Sequence, residues 1–410
     1  MLIWLGHQRA EGLPGDNMVM TYAVSGEVDP ERFAAAFAAV VRECRALRTV
    51  VIDRDGEPLQ TALDPNAHVP AHVFHDVSGA ADPEAEAEKL RAAAGAQAFD
   101  IERCNYASVL IRVSPQRSIW VHVQHHLICD GASCALVFEH VARRYAGAGH
   151  EPVADYALYL EQEARYRASK AAKRDAEFWK PRLSRTVEPQ GGYGPAFPEA
   201  GTVHRRVERR LGAERTARVR EACEKPPFRS LSASLAGSVL FETVLFAHMR
   251  RVRGDVTLAV GAPLHNRDSR KTRDVVGCMI EVAPFGVHVE LEDSFEAIYA
   301  RLMEETVTVL KRARHAVPNA ARKPVFDVMY NFHTARFPDF AGMPSETRFE
   351  TGLNFHRASA EVLDPHTISG ETLVVQVHDF DGSGELRVTF DFHAAHFPQA
   401  RAGEVADPFV

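Results

Sequence analysis

Apolar and polar positions along this chain alternate in short runs of two kinds, one with the period of a strand and one with the period of a helix. Val19 to Ser25 alternates apolar with small or polar residues and predicts a strand. Asp29-Pro30-Glu31-Arg32 then opens a helix that runs through Arg45. Asp29 stands at the cap, Pro30 at the first helical position, and Glu31 where a carboxylate complements the positive helix end. Leu47 to Asp53 predicts a second strand, closed by a turn at Asp55-Gly56. An Ala-rich helix over Glu84 to Gln97, strands over Ala107 to Val113 and Ser118 to His126, and a helix over Ala132 to Tyr145 follow. Asp155 to Trp179 reads as a long charged helical stretch with a break inside it.

Thr186 to Gly201 holds three prolines and four glycines without apolar periodicity and predicts a linker or crossing loop. Beyond it the pattern resumes with a strand over Val203 to Leu211 and helices over Glu214 to Cys223 and Ser232 to Val252. Strands are expected over Val256 to Gly261, Ile280 to Val289 and Val325 to Phe332, with a helix over Phe295 to Arg314 between the last two. Leu373 to Asp379 and Leu386 to Phe392 predict a hairpin around Asp381-Gly382-Ser383-Gly384. Both halves mix helices and strands, which favours one α/β lobe built twice over two unlike domains. The expected lobes are residues 1–185 and 186–410, and no repeat of short period suggests a solenoid.

Composition narrows the classes. The chain has 410 residues, 46% hydrophobic and 25% charged, with a formal net charge of −7. That is ordinary for a soluble globular protein and gives no basic footprint for a nucleic-acid partner. No apolar run approaches the ~18–20 residues that span a bilayer, so no membrane partner is expected. The start, Met1 to His7, lacks a basic region and a small-residue cleavage site, so a cytoplasmic location is predicted. The six cysteines form no CxxC pair, and the twenty histidines show no zinc-type spacing, so no metal site is predicted.

The most informative stretch is Gln124-His125-His126-Leu127-Ile128-Cys129-Asp130-Gly131. On a regular strand His125 shares an apolar face with Ile119, Val121 and Val123. His126 shares the other face with Trp120, His122 and Gln124, a polar face suited to lining a wet cavity. This makes His126 the catalytic candidate and His125 a structural one. An imidazole accepts a proton near neutrality, which suits general-base activation of an amine or alcohol. Asp130 has two readings: the N-cap of the helix that follows, or a buried carboxylate paired with an arginine that holds the loop. Gly131 tolerates a tight strand-to-helix turn. No GxSxG string and no Gly-rich phosphate loop competes, which favours direct transfer without a covalent enzyme intermediate.

These residues resemble the HHxxxDG motif of the chloramphenicol-acetyltransferase-like superfamily, and specifically the condensation domains of nonribosomal peptide synthetases. The resemblance extends to Leu47-Arg48-Thr49, Phe99-Asp100-Ile101, Asp155-Tyr156-Ala157, Glu177-Phe178-Trp179, Val260-Gly261-Ala262-Pro263 with Asn266-Arg267, Val276-Gly277, and Val325 to His333, in the family's order over about residues 1–397. It implies two acetyltransferase-like α/β lobes forming a V-shaped pseudo-dimer, with the motif at their seam and a tunnel through the molecule. It implies acyl transfer from the phosphopantetheine arm of an acyl or peptidyl carrier protein, or from CoA, to a small-molecule amine, with no tightly bound cofactor. The product would be an amide in nonribosomal peptide or related antibiotic and natural-product biosynthesis. An ester-forming O-acyltransferase is the alternative, and a non-catalytic recruitment module of the same fold is the third reading.

By the same resemblance His126 acts on the attacking amine, and Asp130 makes a structural ion pair with Arg48 or Arg267. Gly131 leaves room for pantetheine and offers its backbone N–H to the oxyanion. The chain departs from the family where Glu281 and Val282 replace an Asn and a Thr. Glu281 either lies by the acceptor channel, reading a cationic acceptor, or faces solvent. The helix usual after the last strand is expected to be missing, and no adenylation or carrier motif is present, which implies a lone, freestanding or excised domain.

Overall fold

Local capping chemistry and sheet pairing together set the elements that carry the motif. A computed structural model describes residues 2–9, 14–68, 71–148, 151–184, 204–254, 257–267, 269–315, 325–351, 372–380, 382–394, 396–397 and 402–409. The first half runs α1 (Leu2–Arg9), β1 (Asn17–Ser25), α2 (Pro30–Glu43), β2 (Thr49–Arg54), β3 (Glu57–Ala62), β4 (His72–Asp76), α3 (Pro83–Gly95), β5 (Tyr106–Ser114), β6 (Arg117–His125), α4 (Gly131–Ala146), α5 (Ala157–Arg167) and α6 (Lys170–Leu183). The second half runs β7 (His204–Arg210), α7 (Gly212–Glu224), α8 (Ala233–Arg253), β8 (Thr257–His265), β9 (Ile280–His288), α9 (Phe295–Leu310), β10 (Val328–Phe332), β11 (Ser345–Thr351), β12 (Leu373–His378), β13 (Arg387–His393) and α10 (Ala402–Ala406).

The cap expected at Asp29 is in place, and the structure adds one at Ser232. Asp29 accepts the Glu31 and Arg32 N–H groups ahead of α2, and Ser232 accepts the Leu235 N–H ahead of α8. The charged stretch from Asp155 does break, between α5 and α6, where Ser169 caps the second helix. The Thr186–Gly201 linker and Asp381 of the late turn lie outside the described residues. The chain end, expected to lack a helix after the last strand, carries the short α10, with Val405 and Ala406 buried in the second core.

Two sheets organise the molecule, a five-stranded one in the order β11-β1-β6-β5-β4 and a six-stranded one in the order β7-β13-β12-β10-β8-β9. The sequence cut at residues 185/186 does not follow them. β11, from far along the second half, pairs antiparallel with β1 and sets Phe349 against Met20. Arg91 of α3 pairs with Glu350, and Arg206 of β7 donates to the Phe349 carbonyl, so the strand is tied to both lobes. In the other direction α6 packs against the second lobe. Trp179 Nε1 donates to the Arg312 carbonyl at 2.9 Å, and Arg182 forks onto Glu305 at 2.6 and 3.1 Å. Each lobe therefore borrows an element from the other half of the sequence.

Strand β6 is buried on both faces, which corrects one expectation. Val121, Val123 and Ile119 pack toward α3 with Ala87 and Phe99. The Trp120, His122 and Gln124 face is not a cavity wall; it lies under α2 and α4. Phe37 stands edge-on to His122 at 5.5 Å, Phe138 stacks on Trp120 at 6.1 Å, and both His122 and Gln124 are fully buried. Some polar atoms of this face are met locally: Trp120 Nε1 donates to Ser108 Oγ at 3.0 Å, and the Gln124 amide nitrogen meets His122 Nδ1 at 3.2 Å, while His122 Nε2 and Gln124 Oε1 are buried without a partner among the described residues.

Burial pushes His122 down to about 3, reinforced by nearby His72. The folded state therefore keeps this ring neutral while the unfolded chain takes a proton below its ordinary value of about 6.5. Stability is full above pH ~6.5 and falls as pH drops from there toward about 3. Thermal melts between pH 7 and pH 4 are expected to show a falling midpoint that His122→Gln partly flattens. A wild-type midpoint independent of pH over that range would contradict it.

Candidate active site at the seam of the two lobes

The motif sits where β6 ends. Strand pairing stops at His125, whose N–H donates to the Asn105 carbonyl at 2.8 Å, and the His126 N–H is taken by the Asp16 carbonyl at 2.8 Å. The backbone then turns through Leu127 to Cys129 and enters α4 at Gly131. His125 is buried inside this turn. Its Nδ1 accepts the Leu127 N–H at 3.1 Å, so its Nε2 carries the hydrogen and donates to His7 Nδ1 of α1 at 3.2 Å. Burial, helped by His7 and His126, pushes its pKa down to about 3. His125 is thus a neutral strut that shapes the turn.

His126 is half-buried and lines a cavity of about 360 Å³ together with Gly131, His265, Arg267, Asn331 and His333. Met18, Met20, Leu136, Phe337, Phe349 and Phe380 make the rest of that cavity largely apolar. Burial lowers the His126 pKa; the Asp130 charge and the backbone carbonyls of His126 and Cys129 oppose that shift without reversing it. The ring is therefore neutral at pH 7 and able to take a proton. Its Nδ1 lies 4.0 Å from the Sγ of Cys278, whose own thiol burial pushes up to about 12. Cys278 is a neutral thiol here, not a nucleophile. A second cavity of about 290 Å³ shares His333, Thr334 and Ala335 with the first and is bounded on its far side by Arg220, Glu224 and Asp379.

Asp130 fills both roles the sequence left open. Its Oδ1 accepts the Ser133 N–H at 2.9 Å, capping α4, while Arg267 forks onto its two oxygens at 2.7 and 2.8 Å. The Met279 N–H adds a fourth bond at 3.0 Å. Burial alone would raise this carboxyl, but the charge and hydrogen bonds of Arg267 outweigh it and hold it below the ordinary carboxylate value. Around the pair, Ser133 Oγ donates to the Gly277 carbonyl and accepts the Gly277 N–H, both at 2.9 Å. A Cβ on Gly277 would stand 2.1 Å from the Tyr156 ring, whose hydroxyl donates to the Cys278 carbonyl at 2.8 Å. The Asp155-Tyr156-Ala157 string thus closes over the strand that follows Val276-Gly277.

The structure brings His126, Asp130, Gly131 and Arg267 together with His125 behind them, and places two other candidates elsewhere. Arg48 does not reach Asp130; it donates to the Val41 carbonyl at 3.2 Å and to the Leu63 carbonyl, pinning the end of α2 to the residue after β3. On β9 it is Ile280 that lines the cavity. Glu281, one residue on and so on the opposite face, acts electrostatically on Tyr159, Tyr166 and Arg167 of α5. Glu281 is thus not among the residues that line this cavity. Gly131 does not have the positive φ of a strained turn, so the turn itself does not demand glycine. A Cβ there would instead project into the cavity, 3.9 Å from His333 Nδ1. His265, His333 and Cys278 were missed, although His265 stands between the quoted Pro263 and Asn266 and His333 closes the late-strand string.

A two-lobed α/β fold with a neutral histidine on a cavity, held beside a buried and paired aspartate, is an arrangement suited to general-base chemistry. The chain belongs to the Condensation domain family, which matches over residues 3–410. It is 27% identical to the isonitrile lipopeptide synthase of Streptomyces coeruleorubidus and 24% identical to the dimodular nonribosomal peptide synthase of Bacillus subtilis. Those matches cover 97% and 95% of this chain but only 26% and 16% of the relatives' length, so the chain corresponds to one segment of much longer enzymes. Among solved structures, a doubly substituted starter condensation domain of rhizomide synthetase RzmA, in complex with C8-CoA and Leu-SNAC, superposes with a TM-score of 0.82 at 20% identity, covering 99% of this chain and 90% of that one. The first condensation domain of the calcium-dependent antibiotic synthetase, in complex with a substrate analogue, gives 0.81 at 19% identity, covering 99% and 92%. No helix among the described residues is long and apolar enough to cross a membrane.

Removing the guanidinium leaves a carboxylate with no exposed surface and without its counter-ion. Arg267→Ala is therefore expected to lower unfolding stability by about 3–5 kcal/mol. Chemical denaturation monitored by tryptophan fluorescence checks it, and an unchanged midpoint would mean that the pair carries no structural load.

Proposed function

We propose that this domain moves an acyl group from a pantetheine-linked thioester, on an acyl or peptidyl carrier protein or on CoA, to a small-molecule amine. The observation that carries the reading is His126: a neutral imidazole on a cavity wall, fixed by a turn that Asp130 and Arg267 brace from two lobes. In the step, the amine nitrogen attacks the thioester carbon while His126 accepts one amine proton. The carbon–sulfur bond then breaks, and the proton passes to the departing pantetheine sulfur, giving an amide and a thiol. Gly131 and Ala132 open α4 on the cavity wall, and first-turn N–H groups of a helix lack helical carbonyl partners. They are suited to stabilise the developing oxyanion, a contribution of several kcal/mol in acyl transfer.

The apolar wall of Met18, Met20, Leu136, Phe337, Phe349 and Phe380 suits a hydrocarbon acyl chain, in keeping with the C8-CoA bound by the RzmA domain. The two cavities that share His333 to Ala335 supply separate approaches for donor and acceptor, the arrangement a through-tunnel would need. Peptide or lipopeptide assembly is the setting that the relatives support, and a cytoplasmic location goes with it.

The test is an intact-mass assay of product from an octanoyl-loaded carrier protein, or octanoyl-CoA, against a panel of amines and alcohols. Amide products are expected. Ester products with no amide would install the O-acyltransferase reading, and no product with any pair would favour a recruitment role. His126→Ala is expected to lower turnover at least ~100-fold, the usual scale of a lost general base, with the fold intact by circular dichroism. His125→Ala is expected mainly to lower the melting temperature. Because the free base of His126 is favoured by burial, the acid limb of kcat/KM should fall below the ordinary histidine value of 6.5. A limb at or above that value would place the titrating base elsewhere.

A further inference from the structure

A second imidazole on the cavity wall has its hydrogen-bonding sense fixed by a chain of charged and polar groups behind it. Arg206 forks onto Asp391 at 2.8 and 2.6 Å, so both carboxylate oxygens face donors. Asp391 Oδ2 also accepts the Gln376 amide nitrogen at 3.1 Å, which settles which end of that amide points inward. Gln376 Oε1 then faces His333 Nε2 at 2.9 Å, and an amide oxygen only accepts. The Asn331 amide nitrogen also lies 3.1 Å from that Nε2, but Gln376, whose orientation the Asp391 carboxylate fixes, leaves Nε2 as the donor, so the Asn331 amide is assigned with its oxygen turned to the ring. The remaining nitrogen, Nδ1, is left as a lone-pair acceptor.

That Nδ1 makes no hydrogen bond among the described residues, and it stands 3.9 Å from where a Cβ on Gly131 would lie, across the cavity that His126 also lines. Phe380, at 5.0 Å between ring centroids, and Phe349, at 5.9 Å, hold the ring in place, and the His333 N–H is tied to the Val377 carbonyl at 2.8 Å. Burial pushes its pKa down to about 4, so the acceptor is present throughout the physiological range.

We infer that His333 selects the acceptor nucleophile: its Nδ1 takes the second N–H of a primary amine whose first N–H is given to His126. A primary amine has two hydrogens to satisfy two imidazoles; a secondary amine or an alcohol has one and leaves one of the two cavity-wall acceptors without a substrate donor. The inference rests on the acyl-transfer reading above and makes the site amide-forming with primary amines in preference to secondary amines and alcohols. His333 is a specificity-determining residue in this account, and the Arg206–Asp391–Gln376 chain positions it.

Two measurements test it. Kinetics with a primary amine, its N-methyl counterpart and the matching alcohol should show kcat/KM about tenfold higher for the primary amine, the scale of one hydrogen bond. His333→Phe should remove that preference by losing primary-amine turnover only, while His333→Gln, which offers an amide oxygen and nitrogen in place of the two ring nitrogens, retains it. Equal losses for all three acceptors in His333→Phe would overturn the inference, since a packing role acts on every acceptor alike. The second measurement is nitrogen NMR of 15N-histidine-labelled wild-type protein, which does not depend on turnover. It should find the His333 ring with hydrogen on Nε2 at pH 7 and an Nδ1 signal that moves on adding n-butylamine without donor. The opposite tautomer, or an Nδ1 signal indifferent to the amine, would overturn the inference even where no acceptor is turned over, the outcome that would instead count against the acyl-transfer reading.

Discussion

The fold of this protein converges on one buried ion pair. Asp130 has no exposed surface, and the side chain of Arg267 keeps only 7% of its own. A carboxylate in that position is costly unless every lone pair is met. Two guanidinium N–H groups and the backbone N–H groups of Ser133 and Met279 meet them. These partners come from α4 of the first lobe and from the segment between β8 and β9 of the second. The turn that carries His126 is therefore fixed by both lobes at once, and the imidazole cannot be placed correctly by either alone. Ser133, Gly277 and Tyr156 extend the same clamp, which explains why a glycine stands where the Tyr156 ring closes in.

Most elements were legible because their signals are local. Asp29 announces a helix through its cap and the proline that follows, and the late hairpin announces itself through glycines between two apolar runs. What stayed hidden was non-local. Ser345 to Thr351 carries a single large apolar residue, Phe349, and no sequence pattern reveals that it joins a sheet whose other strands lie more than two hundred residues earlier. The choice between Arg48 and Arg267 was invisible for the same reason: both follow plausible motifs, and only tertiary packing brings one guanidinium to the carboxylate. The alternation along Ser118 to His126 divided the strand's faces correctly but misjudged what covers the polar one. A face bearing Trp120, His122 and Gln124 is compatible with burial when aromatic rings from α2 and α4 stack on it and Ser108 supplies a partner.

The candidate site shows the same division. HHxxxDG marked His126 and Asp130 as a unit, since the cap, the turn and the strand end are adjacent in sequence. The opposite wall, with Asn331 and His333, could not be read as part of it, because its hydrogen-bonding sense depends on Gln376, Asp391 and Arg206 from three different strands. Glu281 shows the converse hazard: a charge beside a motif strand belongs to the cavity only if its face does, and here Ile280 occupies that face. The chain belongs to the Condensation domain family, and its cavity takes one wall from the motif turn and another from the late strands of the second lobe.

The central claim is that Asp130 and Arg267 act as one device that positions His126, and a double-mutant cycle reads it most directly. Asp130→Asn, Arg267→Gln and the double variant would each be measured for unfolding free energy and for kcat/KM with a loaded donor and a primary amine. The account predicts strong coupling, with the double variant no worse than the poorer single in either quantity. Losses that simply add would show two independent residues and contradict it.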